Sequence, residues 1–122
     1  MGKMFLIVDD SASMRQMISS ILQSAGHTVL AAENGKDAIE KLGDTRMDIV
    51  ITDLNMPEMD GIEFIKKLRS TDAHKFIPII MLTTEAQAEK KQEGKKAGAS
   101  GWIVKPFSPP QLLDVIKKFV EK

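Results

Sequence analysis

Residues 47–61 read MDIVITDLNMPEMDG, and the first part of this stretch has the composition of a buried strand. The apolar run over residues 49–51 leads within two residues to a carboxylate, Asp53. The segment that follows is prone to turns, with Pro57 and Gly61. A buried charge is costly unless it is paired, bound to a metal or in contact with water. The end of this strand is therefore a candidate functional position.

Strand-like and helix-like segments alternate on both sides of this stretch. Short apolar runs predict strands over residues 4–8, 28–32, 47–52, 79–82 and 101–104. Apolar residues at helical spacing predict helices around residues 14–25, 38–42 and 62–68 and after Ser108, and a composition of mostly Ala, Gln, Glu and Lys predicts a weaker one over 86–97. Five successive βα units predict a doubly wound α/β fold, in which helices cover both faces of a parallel sheet.

Two of the helices carry start signals, and one is weakly predicted. Ser11 or Ser13 can cap the first helix. The segment 108–111 places Ser at the N-cap, Pro at the first helical position and Gln at the capping-box position. The helix over 86–97 has little apolar content and contains Gly94, so we expect it to have modest stability.

The bulk composition fits one domain over residues 1–122 and excludes some classes of function. The chain has no cysteine, and its 17 basic and 17 acidic residues argue against nonspecific nucleic-acid binding. Residues 1–61 hold 5 basic and 10 acidic residues, a balance that suits cation binding. No signal peptide or membrane span is apparent. We expect a soluble, cytoplasmic protein with no nucleic-acid or membrane partner.

Polar side chains follow four of the predicted strands. In an open α/β sheet, ligands bind beyond the carboxyl ends of the strands, where the strand order reverses. In the order 2-1-3-4-5, which is common among such sheets, the second strand lies at an edge. The other four strands end at Asp9 and Asp10, at Asp53, at Thr83 and at Lys105. We therefore expect three carboxylates, one hydroxyl and one ammonium at a single rim.

This set of side chains suits metal-assisted phosphoryl transfer. Clustered carboxylates favour a hard ion such as Mg²⁺, and an aspartate can act as a nucleophile toward phosphorus. Lys105 could neutralise phosphoryl charge, and Thr83 could donate a hydrogen bond. Each residue alone also has an ordinary interpretation: a turn cap, helix N-terminal charges, a strand-end threonine or a solvated lysine. Their predicted convergence on adjacent strands favours the functional interpretation.

Four motifs together resemble the receiver domain of bacterial two-component response regulators, and among these the single-domain chemotaxis regulators. They are LIVDD at 6–10, TDLNMPEMDG at 52–61, MLTT at 81–84 and KPF at 105–107. The resemblance covers nearly the whole chain. It implies a flavodoxin-like fold with five parallel strands in the order 2-1-3-4-5 and five helices. It also implies a phosphorylation-activated signalling module rather than an enzyme.

The resemblance implies a metal site and a phosphoacceptor. Asp53 matches the aspartate that accepts the phosphoryl group. Asp9 and Asp10 match the acidic pair that binds Mg²⁺, which Asp53 also contacts. The backbone carbonyl of Asn55 matches a further metal ligand.

The resemblance also assigns residues that respond to the phosphoryl group or control its lifetime. Thr83 and Lys105 match the hydroxyl and the ammonium that contact the phosphoryl group. The peptide bond before Pro106 is implied to be cis. Asn55 and Glu85 occupy the positions that tune dephosphorylation.

Trp102 departs from the family pattern, in which this position usually carries Tyr or Phe and sometimes His. The aromatic ring of relatives follows the threonine and swings inward when the site is phosphorylated. For Trp102 we leave three alternatives open: the ring switches inward, it stays outside as a contact surface, or it is an ordinary, partly buried strand residue.

The resemblance implies partners as well. A histidine kinase of the CheA-like type would donate the phosphoryl group, and a phosphatase is a further candidate partner. The face formed by the fourth helix, fifth strand and fifth helix would bind a target, for which we expect a flagellar motor switch protein. Four lysines would either make this face basic or be ordinary solvent-exposed residues of the fourth helix. They are Lys90, Lys91, Lys95 and Lys96. His27 and His74 are expected at the surface and not as internal phosphoryl donors.

Three competing functions remain at this stage. The chain could be a phosphorelay intermediate that passes the phosphoryl group from Asp53 to a histidine phosphotransfer protein. A phosphatase of the haloacid-dehalogenase type would need an aspartate where the chain has Asn55. A flavodoxin-like cofactor binder would need a phosphate-cradling loop after the first strand, but the residues at 9–11 are Asp, Asp and Ser.

Overall fold

The apolar runs form a parallel five-stranded sheet in a computed structural model that describes residues 2–43, 45–54, 56, 59–84 and 88–120. The strands are β1 (Met4–Val8), β2 (Thr28–Ala32), β3 (Ile49–Asp53), β4 (Ile79–Thr83) and β5 (Gly101–Val104). The helices of this described part are α1 (Ala12–Ser24), α2 (Gly35–Leu42), α3 (Gly61–Arg69), α4 (Ala88–Ala97) and α5 (Pro109–Val120). The strand order is β2-β1-β3-β4-β5, which confirms the predicted fold.

The core consists of two apolar layers, one on each face of the sheet. Successive side chains of a strand point to opposite faces, so β1 places Leu6 in one layer and Ile7 in the other. The first layer lies under α2, α3 and α4, and the second lies under α1 and α5. Burial of these strand residues on both sides is the main favourable contribution to folding, and it fixes the strand ends that carry the polar side chains.

The predicted helix starts are confirmed. Ser11 caps α1 and accepts a hydrogen bond from the Met14 N–H. At the start of α5 the Ser108 N–H donates to Gln111 Oε1 at 2.8 Å, and the Gln111 N–H donates to Ser108 Oγ at 3.3 Å. This reciprocal pair is a capping box, which satisfies two backbone donors that have no partner within the helix.

The third strand begins later and ends later than the predicted range 47–52. The Met4 N–H donates to the Asp48 carboxylate at 2.8 Å, and the Asp48 N–H donates to the Met4 carbonyl at 2.9 Å. The paired residues of β1 and β3 begin with Phe5 and Ile49. At the other end Asp53 pairs with Leu82 of β4, which keeps this carboxylate on a rigid strand rather than in a loop.

Gly94 has a packing role that the sequence did not reveal. It is buried in α4, and a Cβ added there would lie 1.9 Å from the Met81 sulfur. Glycine weakens a helix by about 1 kcal/mol relative to alanine, but here its lack of a side chain lets α4 pack directly on β4. None of the described helices is long and apolar enough to cross a membrane.

The prediction that both histidines lie at the surface is wrong for His74. This residue is buried at the end of a short 3₁₀ helix, Asp72–His74, which was not predicted. The Met47 N–H donates to its Nε2 at 3.4 Å, and its Nδ1 lies 3.1 Å from Thr71 Oγ1. This network assigns the neutral tautomer with the proton on Nδ1. His27 is half-buried, with its ring against Phe5.

The burial of His74 predicts a loss of stability at acidic pH. Burial lowers the pKa of His74 below its usual 6.5, the charge of Arg46 lowers this pKa further, and the Thr45 backbone acts in the opposite direction. The unfolded chain therefore takes up this proton at a higher pH than the folded protein does. The contribution to stability is full above pH 6.5 and is lost as the pH falls below that value.

We expect the unfolding free energy of the wild type to fall more steeply from about pH 7.5 to about pH 5 than that of His74→Gln. Urea unfolding at several pH values measures both slopes. His27→Gln serves as a comparison, because burial also lowers the pKa of His27. Equal slopes in the wild type and His74→Gln would contradict the prediction.

Candidate functional site

Four strand ends meet at the carboxyl edge of the sheet, and each carries a polar side chain. Asp9 follows β1, and Lys105 follows β5. Asp53 and Thr83 are the last residues of β3 and β4. The strands β1, β3, β4 and β5 are neighbours in that order, so these residues form one rim. The second strand lies at the sheet edge on the far side of β1, as the order requires.

Lys105 bridges two of the carboxylates. Its Nζ lies 3.2 Å from Asp9 Oδ2 and 3.4 Å from Asp53 Oδ2. The Lys105–Pro106 peptide bond is cis. The ammonium is largely shielded from solvent, and the Asp9 side chain is fully buried, so these ion pairs are screened less than surface pairs.

Three carboxylates crowd around this single ammonium. One oxygen each from Asp9, Asp10 and Asp53 lies within 4.8 Å of the other two. Asp9 is also held by the Ser11 N–H, which donates to its Oδ1 at 2.9 Å, whereas Asp10 is exposed. The three carboxylates outnumber the cationic side chains beside them, which are Lys105 and Arg15, so a divalent cation would neutralise the remaining negative charge, and oxygen ligands suit Mg²⁺. The residues present therefore fit a magnesium site.

The environment of Asp53 opposes its ionisation. Burial raises the pKa of Asp53 above its usual 3.8, and the neighbouring charge of Asp9 raises it further. Lys105 and the Leu54 N–H, which donates to Asp53 Oδ1 at 2.8 Å, act in the opposite direction. A cation bound beside Asp53 would favour the ionised form, which is the form that can act as a nucleophile.

Thr83 presents a buried hydroxyl to this edge. Its Oγ1 is enclosed and makes no hydrogen bond within the described residues, whereas most buried hydroxyls in proteins have a partner. A phosphoryl oxygen bound at the rim would supply a partner. This unpaired atom is a second feature, independent of the acidic cluster, that fits the site to an anionic group.

Trp102 lies on the outer side of β5. Its side chain is 43% exposed, and Lys91 Nζ of α4 lies 5.5 Å from the ring centroid, which is within cation–π range. Beside it, a cleft of about 700 Å³ runs between β5 and the start of α5, lined in part by Phe107 and Gln111. The ring is thus outside in this structure.

Two of the predicted site residues lie outside the described part of the chain. They are Asn55, expected to contribute a backbone carbonyl to the metal, and Glu85, expected with Asn55 to tune dephosphorylation. Their roles stay predictions.

One residue at the site was missed by the sequence analysis. Arg15 of α1 reaches back over the turn after β1, and its Nη1 donates to the backbone carbonyl of Asp9 at 2.7 Å. The available signal was its place in the first turns of a helix, where a positive charge is normally unfavourable.

The sequence over residues 5–117 matches the family described as the response regulator receiver domain. The chain belongs to this family. The receiver-domain match includes every residue of the rim and all five strands but for the first residue of β1.

Curated receiver-domain relatives are similar over nearly their whole length. Chemotaxis protein CheY1 of Helicobacter pylori is 46% identical over 116 residues, which cover 92% of this chain and 92% of that protein. Chemotaxis protein CheY of Thermotoga maritima is 42% identical over 119 residues, which cover 97% of this chain and 98% of that protein.

Solved receiver-domain structures agree with this assignment. The chemotaxis response regulator CheY4 of Vibrio cholerae matches with a TM-score of 0.93 and 49% identity, over 98% of this chain and 100% of that chain. A response regulator from Chloroflexus aurantiacus also has a TM-score of 0.93, at 31% identity over the full length of both chains. The chain is thus a CheY-like response regulator receiver domain.

Proposed function

We propose that this protein is a phosphorylation-activated signalling switch, a single receiver domain over residues 1–122 that accepts a phosphoryl group on Asp53. The observation that supports this most directly is the contact of Lys105 with both Asp9 and Asp53 at the rim. A structural ion pair needs one carboxylate. Here a lysine is shared between two, a third carboxylate lies close by, and the Thr83 hydroxyl has no hydrogen-bond partner in the described part of the chain. A structural ion pair does not need these additional polar groups, and their position at a ligand-binding edge supports a role in phosphoryl transfer.

In the proposed reaction, an Asp53 oxygen attacks the phosphorus of a phosphohistidine on a histidine kinase. The new P–O bond forms as the P–N bond breaks, and the released imidazole takes a proton from solvent. Lys105 stabilises charge on a phosphoryl oxygen, and the Thr83 hydroxyl donates to another. Water later attacks the acyl phosphate, which releases inorganic phosphate and restores the Asp53 carboxylate.

The magnesium site would be formed by the side chains of Asp9, Asp10 and Asp53, with the Asn55 backbone carbonyl as a further ligand. When bound, Mg²⁺ would neutralise charge on the carboxylates and the phosphoryl group. Asp9 and Asp53 are held in place by their backbone hydrogen bonds and by Lys105, so they need little rearrangement.

Output would come from a shift between two states of the α4-β5-α5 face. Drawing Thr83 and Lys105 toward a phosphoryl group pulls on the ends of β4 and β5, which support this face. Trp102 and Lys91 lie on it, so a rearrangement there would change the surface offered to a target. Given the named relatives, we propose a CheA-like histidine kinase as the donor and a flagellar motor switch protein as the target.

Three related statements stay predictions: dephosphorylation by a partner phosphatase, a cytoplasmic location and the phosphorelay alternative. The rim geometry suits acceptance of a phosphoryl group in both the switch and the relay. The switch and the relay differ in the fate of the phosphoryl group: water removes it from Asp53 in the switch, and a second histidine accepts it in the relay.

A covalent labelling experiment tests the proposal. With Mg²⁺ and acetyl phosphate, we expect the wild type to gain one phosphoryl group by intact mass spectrometry and to change the fluorescence of Trp102, the one tryptophan in the chain. Asp53→Asn should show neither change, because an amide oxygen cannot act as this nucleophile. The signal should also disappear when EDTA removes the metal.

Asp72→Asn is the matched control, since this exposed aspartate lies in the short 3₁₀ helix, outside the rim. It should label like the wild type. Equal labelling of Asp53→Asn and wild type would rule out Asp53 as the acceptor.

A further inference from the structure

The Arg15 side chain contacts a backbone carbonyl of the acidic turn rather than one of its carboxylates. The turn after β1 contains Asp9 and Asp10, and the Arg15 guanidinium donates to the Asp9 carbonyl from six residues further along the chain. Arginine normally pairs with a nearby carboxylate, and three are clustered at this rim. Its placement on a peptide carbonyl instead suggests that the orientation of this peptide is what Arg15 controls.

The position of Arg15 in α1 supports a specific role. The first turn of α1 contains no acidic residue. The N-terminal end of a helix carries a partial positive charge that disfavours cations. Arg15 is therefore placed against the helix dipole, and the side chain is half-buried rather than extended into water. Two interactions offset this arrangement among the described residues: the hydrogen bond to the Asp9 carbonyl, and the attraction of the Asp37 carboxylate, whose pKa the Arg15 charge helps to lower.

With Arg15 in place, every polar atom of Asp9 has a partner. Its N–H donates to the Ala32 carbonyl, and its Oδ1 and Oδ2 accept from Ser11 and Lys105. Its carbonyl oxygen, the remaining atom, accepts from Arg15. That carbonyl belongs to the peptide bond that leads into Asp10.

Asp10 depends on this peptide for its own position. Its side chain is exposed, and it makes no hydrogen bond or ion pair with a described residue. The direction of the Asp9–Asp10 peptide therefore determines where the Asp10 carboxylate lies relative to the other two.

We infer that Arg15 is a positioning residue that holds the Asp9–Asp10 peptide so that the Asp10 carboxylate faces the divalent-cation site. The inference rests on the proposed magnesium site and extends it to a residue that does not contact the metal. Residues that orient metal ligands in this way typically change metal affinity about 10- to 100-fold when removed. Because Arg15 is itself a cation, loss of its charge alone would act in the opposite direction and strengthen Mg²⁺ binding.

Calorimetric titration of Mg²⁺ into the phosphate-free protein separates these effects. We expect Arg15→Met to weaken Mg²⁺ binding about 10-fold, and Arg15→Lys, which keeps the charge but not the planar fork, to weaken it less. Lys41→Met is the matched control. Lys41 Nζ donates to the Ala31 carbonyl near the end of β2 and pairs with the Asp37 carboxylate at 3.2 Å, so this variant removes one cation, one carbonyl contact and one ion pair within α2 without touching the acidic turn.

Urea unfolding in EDTA provides the readout that distinguishes positioning from stability. A merely structural Arg15 would lower the unfolding free energy of Arg15→Met and leave its Mg²⁺ affinity unchanged. That result would overturn the inference, as would an affinity that rises equally in Arg15→Met and Lys41→Met. Weakened binding confined to the Arg15 variants supports it.

One further variant separates this inference from the proposed function. If Asp10→Asn binds Mg²⁺ as the wild type does, the proposed metal site is wrong. If Asp10→Asn loses binding while Arg15→Met keeps it, the metal site stands and only the role of Arg15 fails.

Discussion

Gly61→Ala should lower the free energy of unfolding by about 3 kcal/mol, because an added methyl group would collide with the backbone. A Cβ at Gly61 would lie 2.2 Å from the Asp53 carbonyl oxygen and 2.9 Å from the Leu54 Cα. Neither atom can move by a side-chain rotation. The Gly61 N–H also donates to the Leu54 carbonyl at 3.0 Å, so the start of α3 is tied to the end of β3.

The damage should extend to the candidate site. Relief of the clash requires the end of β3 to move away from α3, and that end carries Asp53. Under the proposed function, we therefore expect slower phosphorylation of Gly61→Ala by acetyl phosphate, even at temperatures where the variant remains folded.

Gly35→Ala is a matched control, because Gly35 and Gly61 are both buried glycines at the first position of a helix. A Cβ at Gly35 would lie 2.9 Å from the Met59 sulfur, and a flexible thioether can move aside. The added Cβ would also lie 3.2 Å from the Phe64 Cβ, a contact that a small shift relieves. We expect this variant to lose about 1 kcal/mol or less. Urea unfolding followed by circular dichroism compares the two. A Gly61→Ala protein as stable as Gly35→Ala would show that the β3–α3 segment adapts to the methyl group.

Arg69→Met should also destabilise the protein by about 3 kcal/mol, through loss of a hydrogen-bonded clamp. The guanidinium at the end of α3 donates to the Gly98 carbonyl through Nε at 3.0 Å and Nη2 at 2.7 Å. Its Nη1 donates to the carbonyls of His74 and Lys75, each at 3.1 Å. One side chain thus joins α3 to the loop before β4 and to the loop that follows α4.

Removal of this clamp leaves several carbonyl oxygens without their charged donor. Hydrogen bonds to charged groups contribute about 1.5–3 kcal/mol each, and water can replace some of them here because the site is only half-buried. Arg69→Lys should recover part of the lost stability, because lysine keeps the positive charge. The recovery should be incomplete, because an ammonium lacks the planar set of donors that reaches several carbonyls at once.

Arg46→Met is the control for removal of an arginine, because Arg46 is exposed and makes no hydrogen bond to a described residue. We expect it to change stability by no more than about 0.5 kcal/mol at neutral pH. If Arg69→Met unfolds at the same urea concentration as Arg46→Met, the clamp contributes nothing to stability.

The sheet was predictable because its signals are local. The five apolar runs are short, are bounded by turn residues and alternate with helical periodicity, and the capping box at 108–111 marked a helix start. The boundaries of β3 were less accurate. Asp48, just before β3, contacts Met4 through both its carboxylate and its N–H, and no local pattern encodes such long-range contacts.

The rim could be predicted in outline for a different reason. Parallel strands with right-handed crossovers bring all carboxyl ends to one edge, so the polar residues that follow them had to converge. The supporting contacts were not predictable in this way. His74 accepts from the backbone of Met47, 27 residues earlier, and Arg15 turns back to the Asp9 carbonyl, whereas a lone charged or titratable side chain is more often found at the surface.

The shared ammonium of Lys105 has a consequence for the nascent chain. Lys105 and Asp9 are separated by 96 positions, and β3, which carries Asp53, lies with β4 between their strands, so all four strands must be in place before the three charges meet. Under the proposed function, a chain that has not yet reached residue 105 would therefore lack the ammonium that completes the acceptor site. On the same proposal, only a chain with a completely formed sheet can be phosphorylated on Asp53, so misfolded copies would not transmit the signal.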